Sequence, residues 1–514
     1  MVTRSSRYFW LAALGLLLLT VAIRLPSFLH PQPITDEAVY SVIANEIVDG
    51  GRLYVDASDR KPPLVFWTYA AVFKAAGKFN WMVLHAVAVV WTLGTMAGLY
   101  VIAKHLFNRD AGLIAALLYS VFQPWATLSN LAFNGELIMN LPVVWAWAIA
   151  LRRSSSPVRP ELLAAGALLC AGFLLKQPAA IAAVPLGIYL LLPSYRRSRG
   201  LNPIASITQA ATLTAGFLGV LGVAALVLQA QGILGDAFYW TITDHSIPHV
   251  FWEKGILNTL AFIGACLPLL IGAAMAYRDD RGLWLSKSAE RTALFGLFVA
   301  SAIGTAAGGR FFTHYYIQLI PPLALLAAPH YAELWSGRTQ PRHGLLRPAL
   351  MYTWLALIVI AFSIAHWLDL AKRREPSETG QYLLEHSAPD DRIFVWGQKA
   401  KIYLDARRRP ACRYIETFPL TGYVFDGPPL VGKFLLERLV RPFAIDTRKR
   451  IVPGAWNNLE QDFARHPPTY IVDLRFDPKN APYPVHDFPI LAKLLAERYQ
   501  PVARTAEGVV YQMR

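Results

Sequence analysis

Asp36 and Glu37 stand side by side just after the first apolar run of the chain, and Glu136 stands at the head of a later one. Three cations also adjoin apolar stretches. They are Lys61 in Lys61-Pro62-Pro63, Lys176 in Lys176-Gln177-Pro178, and Arg310 in Gly309-Arg310-Phe311-Phe312-Thr313-His314-Tyr315-Tyr316. A positioned carboxylate can take a proton from a hydroxyl. Lysine and arginine can hold a phosphate and stabilise the charge that builds on it as a leaving group. The set suits transfer of a group from a lipid phosphate to a hydroxyl, with the lipid tail left in the bilayer. Each piece also has a plainer reading. Thr35 can cap a helix whose dipole welcomes two acids. Pro62 and Pro63 can open a helix from which Lys61 reaches for headgroups. Glu136 can be a first-turn acid, although an ionisable group at the mouth of an apolar span is costly and by default marks function.

The elements that must position these residues are membrane helices. Of 514 residues, 55% are hydrophobic and only 16% charged, against about a quarter charged in soluble proteins. Apolar blocks of roughly the 20 residues needed to cross a bilayer recur from Tyr8 to about Trp367 and then stop. About eleven are expected. The first six lie near Tyr8–Leu25, Trp81–Leu106, Ala111–Leu128, Leu137–Leu151, Glu161–Leu175 and Ala179–Leu192. The other five lie near Ile207–Ala230, Ile256–Tyr277, Thr292–Ala307, Tyr315–Ala332 and Leu350–Leu368. The first block follows Arg4 and Arg7, as a signal peptide would, but Arg24-Leu25-Pro26 occupies the place of a small-residue cleavage site. A retained anchor helix is expected.

Alternate loops are basic. One set holds Arg4 and Arg7, Lys104 and Arg109, Arg152, Arg153 and Arg159, Arg196 to Arg199, Arg278 to Arg291, and Arg338 to Arg347. The later loops of the other set hold only Lys176, Lys254 and Arg310. The positive-inside rule therefore predicts a multi-pass protein of the inner (plasma) membrane with a cytoplasmic N-terminus. All the candidate residues then fall on the extracytoplasmic face. Residues 1–370 form the expected transmembrane domain, with a long first outer loop at 26–80. Within that loop, Thr35 to Val48 reads as an amphipathic helix with Val39, Val42, Ile43 and Ile47 on one face, and Pro63 to Ala76 as a second helix too short to span. Both are expected to lie in the outer interface, the second alternatively as a re-entrant segment. A further outer region, Gly232 to Gly255, is rich in aromatic and His residues.

Residues 371–514 read as a small soluble α/β domain outside the membrane. Gly380 to His386 is helical in pattern, and Arg392–Trp396, Tyr470–Leu474 and Val509–Gln512 are strand candidates. No glycine-rich phosphate loop is present there.

The net charge of +15 is spread in short clusters between apolar blocks, which excludes nucleic acid as the expected partner. Cys170, Cys266 and Cys412 lack metal-ligand spacing and do not form a disulfide framework. No metal-ligand cluster and no cofactor are evident, and dependence on a divalent metal stays open.

The order of a first span, Asp36-Glu37-Ala38-Val39-Tyr40 and then Lys61-Pro62-Pro63-Leu64 resembles the GT-C glycosyltransferases. It is most similar to the group of protein O-mannosyltransferases and lipid A aminoarabinose transferases, whose bacterial members the Gly309–Pro322 stretch also resembles. The resemblance covers the membrane part well and the C-terminal part only in general layout. It implies a GT-C type fold and an inverting glycosyltransferase fed by a polyprenyl-phosphate sugar. In that family the first-loop Asp is the base, which corresponds to Asp36, and a second acid opens a later span, which corresponds to Glu136. That second position is often Asp in relatives. The resemblance places Lys61 and Arg310 on the donor phosphate. Lys176 joins them on position and charge. Glu37, Tyr40, His314 and Tyr315 are the substrate-binding candidates. The expected partners are the lipid-linked donor, membrane lipids, and a lipid, glycan or protein acceptor.

Two other readings fit some of these features. A transporter or flippase of a lipid-linked sugar would bind the same phosphate without chemistry, but the sequence shows none of the internal repeats common in transporters. A structural partner in an envelope-assembly complex would use the C-terminal part as a docking module.

Overall fold

The computed structural model describes residues 4–29, 31–34, 36–244, 250–278, 288–335, 348–371, 376–427, 443–446, 451–477 and 483–514. Thr35, the loops at 279–287 and 336–347 with their basic residues, and His245 lie outside the described residues. The chain divides into two compact units. One comprises Met1–Gln32, Leu84–Leu226 and Val250–Lys372, and the other Pro33–Val83, Val227–His249 and Arg373–Arg514.

The first unit is helical. The eleven apolar blocks fall mainly on helices, among them Arg4–Leu29, Trp81–Leu106, Arg109–Phe122, Gly135–Ala150, Glu161–Leu175 and Pro203–Ala230. Among the described residues, three helical segments, Tyr8–Leu29, Trp81–Leu106 and Pro203–Ala230, are long and apolar enough to cross a bilayer unbroken. Two further candidates are bent pairs: Gln177–Leu191 with Pro193–Arg199 at 55°, and Trp252–Ala265 with Leu267–Arg278 at 71°. Apolar character alone gives no sign of these bends.

Close helix contact in this unit depends on small residues. A Cβ on Gly166 would lie 1.9 Å from Leu213 O, and one on Gly216 would lie 2.1 Å from Leu163 O. The backbones of Glu161–Leu175 and Pro203–Ala230 therefore touch, the approach that apolar helices use where burial between them gains little. Arg24 is a charged member of the first helix and is buried. Its guanidinium donates to Leu131 O at 2.8 Å and to Gln123 Oε1 at 3.1 Å, and the helix runs on through Pro26.

The second unit holds two helices of the long first loop and a sheet. Glu37–Val48 packs on Pro63–Ala76, with Tyr40 edge-on to Phe66 and Tyr69. The first helix departs from the amphipathic expectation. Glu37, Ser41, Asn45 and Glu46 are buried along with Val42 and Ile43, while Val39 and Ile47 are only half-buried. Its polar side is covered because arginines from the C-terminal segment reach it: Arg409 Nε donates to Glu46 Oε2 at 2.9 Å.

The sheet has five strands in the order β2-β1-β5-β7-β6. They are β1 (Arg392–Trp396), β2 (Arg409–Pro410), β5 (Tyr470–Asp473), β6 (Tyr499–Arg504) and β7 (Val509–Met513). β3 (Tyr423–Gly427) and β4 (Phe443–Asp446) form a separate antiparallel pair. β1 runs parallel to β2 and β5, and β7 runs antiparallel to β5 and β6. Ile393, Phe394, Val395, Ile471 and Val472 are fully buried, the continuous apolar run of a strand covered on both faces.

Candidate active site

Asn134 begins the site in the helical unit. Its side-chain oxygen caps the Gly135–Ala150 helix by accepting from Leu137 N at 3.0 Å, and its amide donates to Ser129 O at 3.1 Å. The cap fixes Glu136 in the first turn, where the helix dipole favours a carboxylate. Lys176 closes the Glu161–Leu175 helix, and Pro178 turns the chain into a 3₁₀ segment, Gln177–Ala182. Lys176 Nζ lies 2.6 Å from Glu136 Oε1, with the two side chains 6% and 1% exposed. Gly135 makes room for the lysine stem, since a Cβ there would sit 2.5 Å from Lys176 Cδ. From sequence, Glu136 and Lys176 were an acid and a phosphate contact apart from each other; the structure joins them.

Lys176 Nζ also lies 4.8 Å from the Tyr315 ring centre. Tyr315 stands edge-on to Phe312 and to His314, and Phe312 stacks on His314 with 11° between the rings. Over Phe312 come two more cations. The Arg310 guanidinium is 5.0 Å from its ring centre and Lys254 Nζ is 3.9 Å away. Gly309 and Phe311 hold this segment with φ of +63° and +47°. Phe311 tolerates that rare conformation for a bulky side chain because its carbonyl accepts from Asn258 Nδ2 at 2.8 Å. The carbonyl of Gly309 accepts from Phe251 N at 2.9 Å. Three cations thus share one aromatic cluster; Lys176 and Lys254 are buried there, whereas Arg310 is half-buried. Lys254, almost fully buried, was visible in the sequence only as a rare cation of an outer loop.

The second unit holds the other candidates. Asp36 occupies the N-cap position of Glu37–Val48 without making a side-chain cap bond. Tyr40 instead donates its hydroxyl to Asp36 Oδ2 at 3.3 Å. Glu37 is buried, and its Oε2 accepts from Ile34 N at 2.7 Å, which ties the entry of the helix. Burial and then the charges of Glu37 and Asp36 push the Tyr69 phenol up.

Lys61 Nζ lies 3.6 Å from Asp59 Oδ1 and 5.9 Å from the Tyr40 ring centre. Its carbonyl is fixed by the Tyr54 hydroxyl at 2.7 Å. Sequence reasoning missed its neighbour: Arg60 Nε donates to Asp244 Oδ2 at 2.8 Å, and the guanidinium lies 4.4 Å from the Phe418 ring centre. Their separation of 184 residues hides that pair from any local pattern. Among the described residues, no three His, Cys, Asp or Glu side chains gather as metal ligands.

The structure superposes on the crystal structure of ArnT from Cupriavidus metallidurans bound to undecaprenyl phosphate with a TM-score of 0.60. The two share 13% sequence identity, and the match covers 98% of each chain. The fold is that of the GT-C glycosyltransferases. The same GT-C fold relates it to the oligosaccharyltransferase AglB from Archaeoglobus fulgidus, in complex with an inhibitory peptide and a dolichol-phosphate. There the TM-score is 0.51 at 13% identity, over 100% of this chain and 75% of that one. Residues 60–227 match the family model for dolichyl-phosphate-mannose-protein mannosyltransferase. That segment contains the candidate residues Lys61, Glu136 and Lys176. No curated protein matches the chain in sequence.

Proposed function

We propose that this chain is a membrane glycosyltransferase that moves a sugar from a polyprenyl-phosphate donor to an acceptor hydroxyl on the extracytoplasmic side, with inversion at the anomeric carbon. Asp36 is the general base. The observation that supports this role is its carboxylate, half-buried at the start of the Glu37–Val48 helix, where Oδ2 accepts from the Tyr40 hydroxyl at 3.3 Å. In the reaction, Asp36 takes the proton from the acceptor hydroxyl as its oxygen bonds to the anomeric carbon and the bond to the donor phosphate breaks. One displacement by a neutral hydroxyl needs no covalent sugar–enzyme step, so the product anomer is opposite to the donor's.

The phosphate leaves with an added charge, which Lys61 and Arg310 stabilise. Lys176 is neutralised by Glu136, so it contributes by placing that acid and by packing on Tyr315. Glu136 orients the acceptor. The named structural neighbours support the donor class, since one holds undecaprenyl phosphate and another a dolichol-phosphate. About eleven spans, a cytoplasmic N-terminus and an outer C-terminal segment complete the proposal. Purified protein supplied with a polyprenyl-monophosphate sugar tests it. Release of free polyprenyl phosphate supports transfer, and donor binding without any cleavage supports a transporter instead.

A further inference from the structure

Within the second unit, Arg392 and Arg409 are register partners on the parallel strands β1 and β2, so their side chains leave the sheet side by side. Both reach Glu46, near the far end of the helix that Asp36 opens. Arg409 donates from Nε to Glu46 Oε2 at 2.9 Å and from Nη2 to Oε1, and Arg392 Nη2 lies 3.5 Å from the same Oε1. The Glu46 side chain is 2% exposed. It has no part in the transfer chemistry above, yet two arginines are spent on it. A buried ion pair adds little net stability over apolar packing, because each charge must first leave water. What a two-pronged arginine adds is direction, since two parallel bonds fix both the distance and the rotation of the carboxylate.

The rest of the helix is held from within the first loop. Glu37 Oε2 accepts from Ile34 N at its start, and the Tyr40 ring packs edge-on to Phe66 and Tyr69. The sheet supplies the hold at the other end. A rise of about 1.5 Å per residue puts Asp36 about 15 Å from Glu46, so a tilt of about 4° moves its carboxylate by about 1 Å. A misplacement of that size can cost about 100-fold in rate. We propose that Arg409 and Arg392 are positioning residues for Asp36: the C-terminal sheet grips Glu46 and thereby sets the angle at which the helix presents its base. This inference rests on Asp36 being the base. The Lys61 segment has a tie of its own, because Ser58 N and Oγ donate to Arg413 O at 2.9 and 3.2 Å. The grip on Glu46 is therefore separable from the grip on the donor phosphate.

The test measures turnover of a polyprenyl-phosphate sugar and affinity for polyprenyl phosphate, using full-length protein in detergent. Hydrogen exchange of the Glu37–Val48 amides reports whether the helix stays formed. Arg409→Lys keeps the charge and loses the fork. It should lower kcat by roughly 10-fold or more while polyprenyl phosphate affinity and helix protection stay at wild-type level. Glu46→Gln should do the same, and the two together should cost little more than either alone, because they cut one contact. In an Asp36→Asn background, Arg409→Lys should cost nothing further, since no base is left to place. Wild-type kcat in Arg409→Lys would overturn the proposal and leave Asp36 as the base. So would an equal loss in the Asp36→Asn background, or lost helix protection, which would make the contact a support of the fold alone. Wild-type turnover in Asp36→Asn itself would remove the base, and this proposal with it.

Discussion

Lys176 and Glu136 form a buried ion pair at 2.6 Å, bridging the end of one helix and the first turn of another. Taking away one partner of such a pair strands a charge where water cannot reach it, which costs about 3–5 kcal/mol. Lys176→Met and Glu136→Gln should therefore each lower the melting temperature in detergent by several degrees. The double substitution should recover most of the loss, because both act on one interaction. Melting shifts that simply add would show that the two side chains do not depend on each other. If Glu136 also orients the acceptor, the restored double variant should still turn over slowly.

Orientation has an independent check. Alkaline phosphatase fused after Ser155 or after Ser198 should be inactive, because both positions lie in strongly basic loops expected inside. A fusion at His245 should be active. Activity at Ser155 would invert the chain and place every candidate residue on the wrong face.

Much of the fold was legible where a local pattern decides it. Pro62 and Pro63 announced a helix that spans Pro63–Ala76 as expected, and Arg392–Trp396 is the strand that its apolar run implied. β6 was missed: Tyr499–Arg504 is half polar, contains Pro501 and lies at the sheet edge, where the alternation is weak. The polar face of Glu37–Val48 was misjudged because the partner of Glu46, Arg409, is 363 residues away. Lys254 failed for the same reason. Its charge was plain, but the Phe312 ring beneath it comes from another element. Asp36 and Tyr40, four residues apart on one helix, were legible as neighbours. The cap was assigned to Thr35, which lies outside the described residues, and Asp36 takes helical backbone angles, φ −58° and ψ −23°.

Donor binding should follow charge. A hydrogen bond to a charged group is worth about 1.5–3 kcal/mol, so Lys61→Ala and Arg310→Ala should each weaken polyprenyl phosphate binding roughly 10- to 100-fold. Arg310→Lys should recover only part, because a point charge cannot reproduce the guanidinium fork. If both residues hold one phosphate, the double variant should lose less than the sum of the two. Cations that merely face lipid headgroups would alter expression and leave the titration of purified protein unchanged.

The inverting mechanism has its own signature. With a donor of known anomeric configuration, the product read by NMR should carry the opposite one. Retention would require a nucleophile that forms a sugar–enzyme bond, and Asp36 could then not be a base alone.

Turnover of the purified Asp36→Asn variant tests the central claim most directly. Asparagine keeps the shape and can still accept the Tyr40 hydroxyl, so the variant should fold and bind polyprenyl phosphate as wild type does. Release of polyprenyl phosphate from the sugar donor should fall by roughly 100-fold or more, the scale expected when a general base is lost. Release at the wild-type rate, with donor binding intact, would contradict the account and return Asp36 to the helix terminus as a structural residue.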